Sequence, residues 1–241
     1  MSPKIHTVFF DALFTIVKPR RPIAAQYSNV INSHISRAIP ESAVEAAFPE
    51  ALKEVQVLKP AYEGGRESWW SEVIRRTALK AGAEANDVTA HLPQMTDQLL
   101  RVFRSKEGYE LYQDVIETFD ALKDAGVHIG LVSNTDGRMR DVLADLGVLP
   151  YFDASVVLSE EEKVEKPSPV LWEVACRRAG IEHPSSAPNS TVGEPVSILH
   201  VGDELDADYF GALNAGLDAI LLRRPGVKVV GRQVSENDVS T

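Results

Sequence analysis

The chain has 241 residues, 44% of them apolar, with 35 acidic side chains against 25 basic and a formal net charge of −10. Length and apolar share suffice for one large α/β domain or a core with an insertion, while the acidic balance disfavours nonspecific binding to nucleic acid or to an anionic membrane. Cys176 is the only cysteine, which excludes an intrachain disulfide and a cysteine-built zinc site.

Met1 leads almost directly into a strand, without a charged leader or an apolar signal region, and no apolar run approaches membrane-spanning length. The expectation is therefore a globular protein of the cytosol or nucleus. Thr7-Val-Phe-Phe-Asp11 predicts a buried central strand, because Val8, Phe9 and Phe10 run without a polar break and Asp11 follows where the strand should emerge. Ligands of open α/β sheets bind at the carboxyl ends of strands, so Asp11 stands where such a protein keeps its chemistry. A lone Asp at that place is also a common helix or turn cap.

From Val17 to about Arg104 the texture is helical. Ile23, Tyr27, Val30, Ile31 and Ile35 recur at helical spacing, as do Val44, Ala47, Phe48, Leu52 and Val55 after Pro40. Trp70, Val73, Ile74 and Thr77 form a third stripe, and Met95, Leu99, Val102 and Phe103 a fourth. The expected organisation is an all-helical domain over residues 17–104 inserted into a core made of 1–16 and 105–241. Within the insertion, Tyr62-Glu-Gly-Gly-Arg66 precedes Trp69 and Trp70. Arg66 beside aromatic rings can hold an anion or stack on a planar group; the stretch also fits a plain helix connection with Trp69 in the core and Trp70 half in it.

An α/β rhythm follows. Val115, Ile116, Phe119 and Leu122 line a helix ended by Gly126, and Val127 to Val132 form a strand with Ser133 just past it. A helix carries Met139, Val142, Leu143 and Leu146, and Ala154 to Leu158 is the next strand. The charged loop Ser159 to Lys166 leads to a helix opened by Pro167 and Pro169. After a surface loop over His183 to Pro195, Ser197 to Val201 is a strand running into Gly202-Asp-Glu-Leu-Asp-Ala-Asp208. A small-residue helix, Gly211 to Ala215, precedes a last strand over Ala219 to Leu222, and from Val227 the pattern fades into a tail.

Asp11, Ser133, the Lys166 loop and Asp203 each follow a predicted parallel strand, which gathers them at one sheet edge. Asp11, Asp203 and Asp208 crowd carboxylates that stay ionised only beside a cation, and hard oxygen ligands with a substrate phosphate suit Mg²⁺. Ser133 can donate to a phosphate oxygen beside a helix N-terminus, and Lys166 supplies a point charge. Singly, these residues are equally a helix cap, a solvated charge and a turn carboxylate.

In order and spacing these motifs resemble the haloacid dehalogenase superfamily: Asp11 to Thr15, then Ser133-Asn134, then Lys166-Pro167, then Gly202-Asp203 with Asp208. Trp69 and Trp70, with the acidic pair before Tyr209, resemble its branch of rhythmically expressed gene product and dehalogenase-like domain protein 3. The resemblance implies a Rossmann-like parallel sheet with a helical cap. It further implies Asp11 as a nucleophile forming an aspartyl-phosphate, and Mg²⁺ on Asp11, the Leu13 carbonyl and Asp203, with Asp208 a ligand or a partner of one. Ser133, Asn134 and Lys166 would hold the transferring group of a small phosphorylated metabolite. One departure stands out: phosphatases of the family carry a second Asp two residues after the nucleophile, and here that position is Leu13. Three classes stay open: a Mg²⁺-dependent hydrolase slowed by Leu13, a phosphate- and Mg²⁺-binding regulatory protein without turnover, and a metal-free 2-haloacid dehalogenase.

Overall fold

A computed structural model describes residues 5–152, 155–181 and 197–226. The expected loop over His183 to Pro195 and the tail from Val227 lie outside the described residues. The chain divides into two compact units, Met1–Lys18 with Leu111–Thr241, and Pro19–Glu110.

The first unit is built on β1 (Ile5–Phe10), β4 (His128–Ser133), β5 (Val156–Leu158), β6 (Ser197–Gly202) and β7 (Asp218–Leu221). They form one parallel sheet in the order β5-β4-β1-β6-β7. β1 is its centre, which is why Val8, Phe9 and Phe10 are all buried. Successive side chains leave a strand on opposite faces. Phe9 accordingly packs with Leu171, Trp172 and Ala175 of α8 (Pro169–Arg178), while Phe10 meets Phe119 of α5 (Val115–Asp124) at 5.2 Å between ring centroids. The sheet therefore carries helices on both faces. Gly130 makes room for this packing: a Cβ there would lie 2.5 Å from the Phe9 ring. Cys176 is buried in the same cluster, and burial pushes its thiol up to about 12.

The second unit holds α1 (Ile23–Asn32), α2 (Glu41–Leu58), α3 (Arg66–Lys80) and α4 (Ala85–Val102). The four apolar stripes form its interior, with Tyr27, Ile31, Val44, Ile74, Met95 and Leu99 in one cluster and Val55, Trp69 and Val73 in another. Pro49 and Pro93 sit inside α2 and α4; each removes one backbone donor without ending its helix. No helix among the described residues is long and apolar enough to cross a membrane.

Several local expectations are corrected. Val17–Pro19 is not helical but a short strand, β2, paired with β3 (Tyr109–Leu111). Ser133 is the last residue of β4 rather than the residue after it, Ile35 lies beyond the end of α1, and Leu146 caps α6 (Arg138–Asp145). The charged loop after β5 starts with a helical turn, α7 (Ser159–Glu162), and Leu205–Phe210 forms a wide π-type turn before α9 (Gly211–Asn214).

On α3, Glu72 accepts Arg75 Nε and Nη2 at 2.8 and 2.7 Å and Arg76 Nε at 2.6 Å. The hydrogen bonds from Arg75, then Arg76, outweigh burial and hold the carboxyl at about 2. A depressed folded-state pKa contributes stability above the unfolded value and loses it as pH falls through the folded one. Glu72→Gln is expected to lower stability by about 0.5–1 kcal/mol at pH 7, the range of a half-exposed ion network. Urea unfolding at stepped pH should show that gap closing between 4.5 and about 2.

Candidate functional site

Strand ends deliver Asp11, Ser133 and Asp203, while Lys166 comes from the loop after β5 and Asp208 from the turn after β6. Asp11 follows β1, its N–H donating to Val201 O at 2.9 Å, and is 7% exposed. The chain then turns tightly: Ala12 O accepts the N–H groups of Thr15, Ile16 and Val17 at 3.3, 2.9 and 3.0 Å, with Phe14 at a left-handed φ of 63°. Leu13 and Val17 form an isolated bridge through Ala12 O and Phe14 N, so the Leu13 carbonyl takes no part in it. The Leu13 side chain is half-buried.

Ser133, buried at the end of β4, donates its hydroxyl to Asp11 Oδ1 at 3.0 Å. Lys166 Nζ donates to the same oxygen at 2.6 Å and to Asp208 Oδ1 at 2.5 Å. Asn134, expected from the resemblance to hold the transferring group, spends both ends of its amide on the lysine's backbone: Nδ2 donates to Lys166 O at 2.9 Å and Oδ1 accepts Lys166 N–H at 2.7 Å. This clamp explains how a lysine reached by a long loop is held at one place.

Asp203 comes directly after β6, half-buried, and Asp208 follows on the π-type turn, buried. Carboxylate oxygens of Asp11, Asp203 and Asp208 lie within 4.8 Å of one another. Gly202 permits this approach, since a Cβ there would stand 2.2 Å from Asp208 Cγ. Asp208 takes three protein donors: Oδ1 takes Lys166 and His200 Nε2, the latter at 2.9 Å, and Oδ2 takes Glu204 N–H at 2.9 Å. Arg66, the remaining sequence candidate, is the half-buried first residue of α3 in the helical unit, after Gly64 and Gly65 at φ +84° and +95°.

Two contributors were missed by sequence reasoning. His200 is fully buried on β6, and its signal was a polar residue at an inward strand position. Arg224 donates to Thr15 O at 2.8 and 3.2 Å and to both oxygens of Asp114, bracing the turn that carries Leu13; nothing local in the sequence marks it.

The charges are unbalanced. Burial would lower Lys166, but Asp11 and Asp208 outweigh it and raise the lysine, which stays an ammonium. Burial would raise Asp208, but the Lys166 charge and the His200 hydrogen bond hold it below the carboxylate range. Burial raises Asp11 despite Lys166. Asp203 is pushed up to about 8 by burial and then by the charges of Asp11 and Asp208. One lysine thus serves three crowded carboxylates, and an all-oxygen donor set short of positive charge fits a hard divalent cation such as Mg²⁺.

Comparison with known proteins gives consistent relatives. The family described as haloacid dehalogenase-like hydrolase matches residues 5–216. Haloacid dehalogenase-like hydrolase domain-containing protein 3 of Danio rerio is 30% identical over 228 residues, 93% of this chain and 87% of its own. Glyceraldehyde 3-phosphate phosphatase of Methanopyrus kandleri is 28% identical over 221 residues, 91% of this chain and 84% of its own. Among solved structures, the HAD phosphatase of Thermococcus onnurineus superposes with a TM-score of 0.59 at 22% identity, over 96% of this chain and 92% of its own. The HAD-hydrolase YfnB of Bacillus subtilis, bound to magnesium, reaches 0.66 at 18% identity over 94% and 92%. These two likenesses are of fold. The family match over residues 5–216, which takes in all the strand-end motifs, together with a relative aligned over nearly the whole length, establishes that the chain belongs to the haloacid dehalogenase-like hydrolase family.

Proposed function

We propose that the chain is a Mg²⁺-dependent phosphatase-type hydrolase of small phosphorylated metabolites, working through an aspartyl-phosphate on Asp11, with the helical unit as its cap. The observation that carries this reading is the convergence of Ser133 and Lys166 on Asp11 Oδ1 beside two further carboxylates. A carboxylate oxygen of Asp11 attacks phosphorus and the bond to the leaving oxygen breaks; water then cleaves the acyl phosphate, freeing Asp11. Lys166 and Ser133 are donors already aimed at the reacting carboxylate, so they meet the charge of the transferring group with little rearrangement. Asp11, Asp203 and the Leu13 carbonyl would hold Mg²⁺, with Asp208 bound to Lys166 beside them; when bound, the ion neutralises charge between nucleophile and phosphoryl oxygens. The name of the Methanopyrus relative supports the phosphate class. Arg66 is the cap's candidate for choosing an anionic substrate.

Leu13 sets the limits of this activity. It has no proton to give a leaving alkoxide, and losing a positioned acid/base slows a reaction by about 10²- to 10⁴-fold. Acyl and aryl phosphates, whose leaving groups need little protonation, are the favoured substrates. Leu13 also favours a second reading, a phosphate- and Mg²⁺-binding protein without turnover. The metal-free dehalogenase is disfavoured by Asp203, which such chemistry leaves without a role.

Calorimetric titration with Mg²⁺ tests the metal. Asp203→Asn is expected to weaken binding by at least the roughly 10- to 100-fold that loss of even an outer-shell partner causes. Unchanged affinity would put the ion elsewhere, and metal-independent turnover of 2-chloropropionate would replace the phosphatase reading with the dehalogenase.

A further inference from the structure

His200 stands at a position that the packing would give to an apolar side chain. It lies two residues after Ile198 on β6, on the same strand face, and is 0% exposed. Trp172 of α8 meets its ring edge to face, with centroids 5.4 Å apart. A buried imidazole among such neighbours needs a polar partner to offset its desolvation, and the partner is Asp208 Oδ1, 2.9 Å from Nε2. Against a carboxylate Nε2 must be the donor, which leaves Nδ1 as an acceptor; that atom is buried and takes no hydrogen bond among the described residues.

The effect on Asp208 is to hold its carboxylate in one orientation. Its Cγ is pressed against Gly202, Oδ2 is fixed by the Glu204 N–H and Oδ1 by His200, and its other hydrogen-bond partner among the described residues is Lys166 Nζ. Lys166 in turn spans Asp208 and Asp11. A lysine on four flexible methylenes holds its position only as well as its anchor does.

We propose that His200 is a positioning residue whose Nε2–H fixes the Asp208 carboxylate and so keeps the Lys166 ammonium seated on Asp11. Its consequence for rate rests on the reading of Asp11 as the attacking group; its consequence for Lys166 does not. When Asp11 attacks phosphorus and its charge passes through the phosphoryl group to the leaving oxygen, Lys166 stays in place because Asp208 cannot turn away with it.

Three substitutions at one buried site separate this role from simple packing. His200→Gln keeps a donor close to the reach of imidazole Nε2, His200→Asn has the same chemistry one methylene shorter, and His200→Leu has no donor. With acetyl phosphate and Mg²⁺, Asn and Leu are expected to lower kcat by about 10- to 100-fold, the scale of a misplacement of about 1 Å at a site, with KM nearly unchanged; Gln restores most of the loss. The second readout is the Lys166 ammonium in ¹⁵N-resolved NMR: its protons should exchange slowly in the wild type and Gln variant and fast in Asn and Leu. If Leu fails to fold, the comparison of Gln with Asn decides alone. If the wild type turns over no acetyl phosphate, the failure lies with the hydrolase reading, and the order of the ammonium signals judges His200 alone. Equal behaviour of Gln and Asn in both readouts would overturn the proposal.

Discussion

Asp11→Asn is expected to abolish hydrolysis of acetyl phosphate and para-nitrophenyl phosphate, by roughly 10⁴-fold or more, as removal of a covalent nucleophile does. The substitution is nearly isosteric. Its amide oxygen can still accept from Ser133 and Lys166, which now contact Asp11 Oδ1 at 3.0 and 2.6 Å. Burial already works against the charged form of Asp11, so a neutral amide should leave the melting temperature close to that of the wild type. A folded, inert variant is therefore the expected result, with release of inorganic phosphate as the measurement. Appreciable turnover by the folded Asn variant would remove Asp11 from the centre of the reaction.

Leu13→Asp should act in the opposite direction. Backbone bonds through Ala12 O and Val17 O, braced by Arg224 on Thr15 O, set the turn after Asp11 without using the Leu13 side chain, so a new side chain at position 13 need not disturb it. A carboxyl placed there stands two residues from Asp11, whose charged form burial already disfavours, and a like charge nearby favours a protonated acid ready to donate. Hydrolysis of alkyl phosphates should rise by about 10²- to 10⁴-fold. The dependence of rate on leaving-group basicity should be steep in the wild type and shallow in the variant. A Leu13→Asp protein that folds, binds Mg²⁺ and stays inert even on acetyl phosphate would end the hydrolase reading and favour the binding protein.

The strand ends were legible because each signal was local. Val8 to Phe10 is an unbroken apolar run closed by a charge, and Gly202-Asp203 closes the strand that begins at Ser197. Burial then gathers Asp11, Ser133, Lys166 and Asp203 without further information, since parallel strands present their carboxyl ends on one side of a sheet. What stayed hidden was the assignment of hydrogen bonds. An Asn after a strand can turn its amide to a ligand or to backbone, and only the fold shows that Asn134 clamps Lys166 across 32 residues. The spacing of Asp203 and Asp208 did not reveal that three protein donors hold the second carboxylate. The turn that carries Asp208 has neither the period of a helix nor that of a strand, and β2 and β3, three residues each, are too short to show alternation. Arg224 acts on Thr15 over 209 residues of sequence, beyond any local pattern.

The central place of β1 separates the order of synthesis from the order of assembly. Phe10 pairs with Leu131 on one side and Val201 on the other, and at about 5–20 residues per second the ribosome reaches Val201 roughly 10–40 s after Phe10. Pro19–Glu110 is contiguous and has its whole chain available long before that. Val8, Phe9 and Phe10 meanwhile wait for partners that close only long loops, the slow class of contact. A nascent chain stalled before Ser197 holds β1 with one flank unpaired, an apolar strand edge open to a second chain. Truncated products of this gene should therefore be drawn to chaperones or aggregate, however sound their helical half.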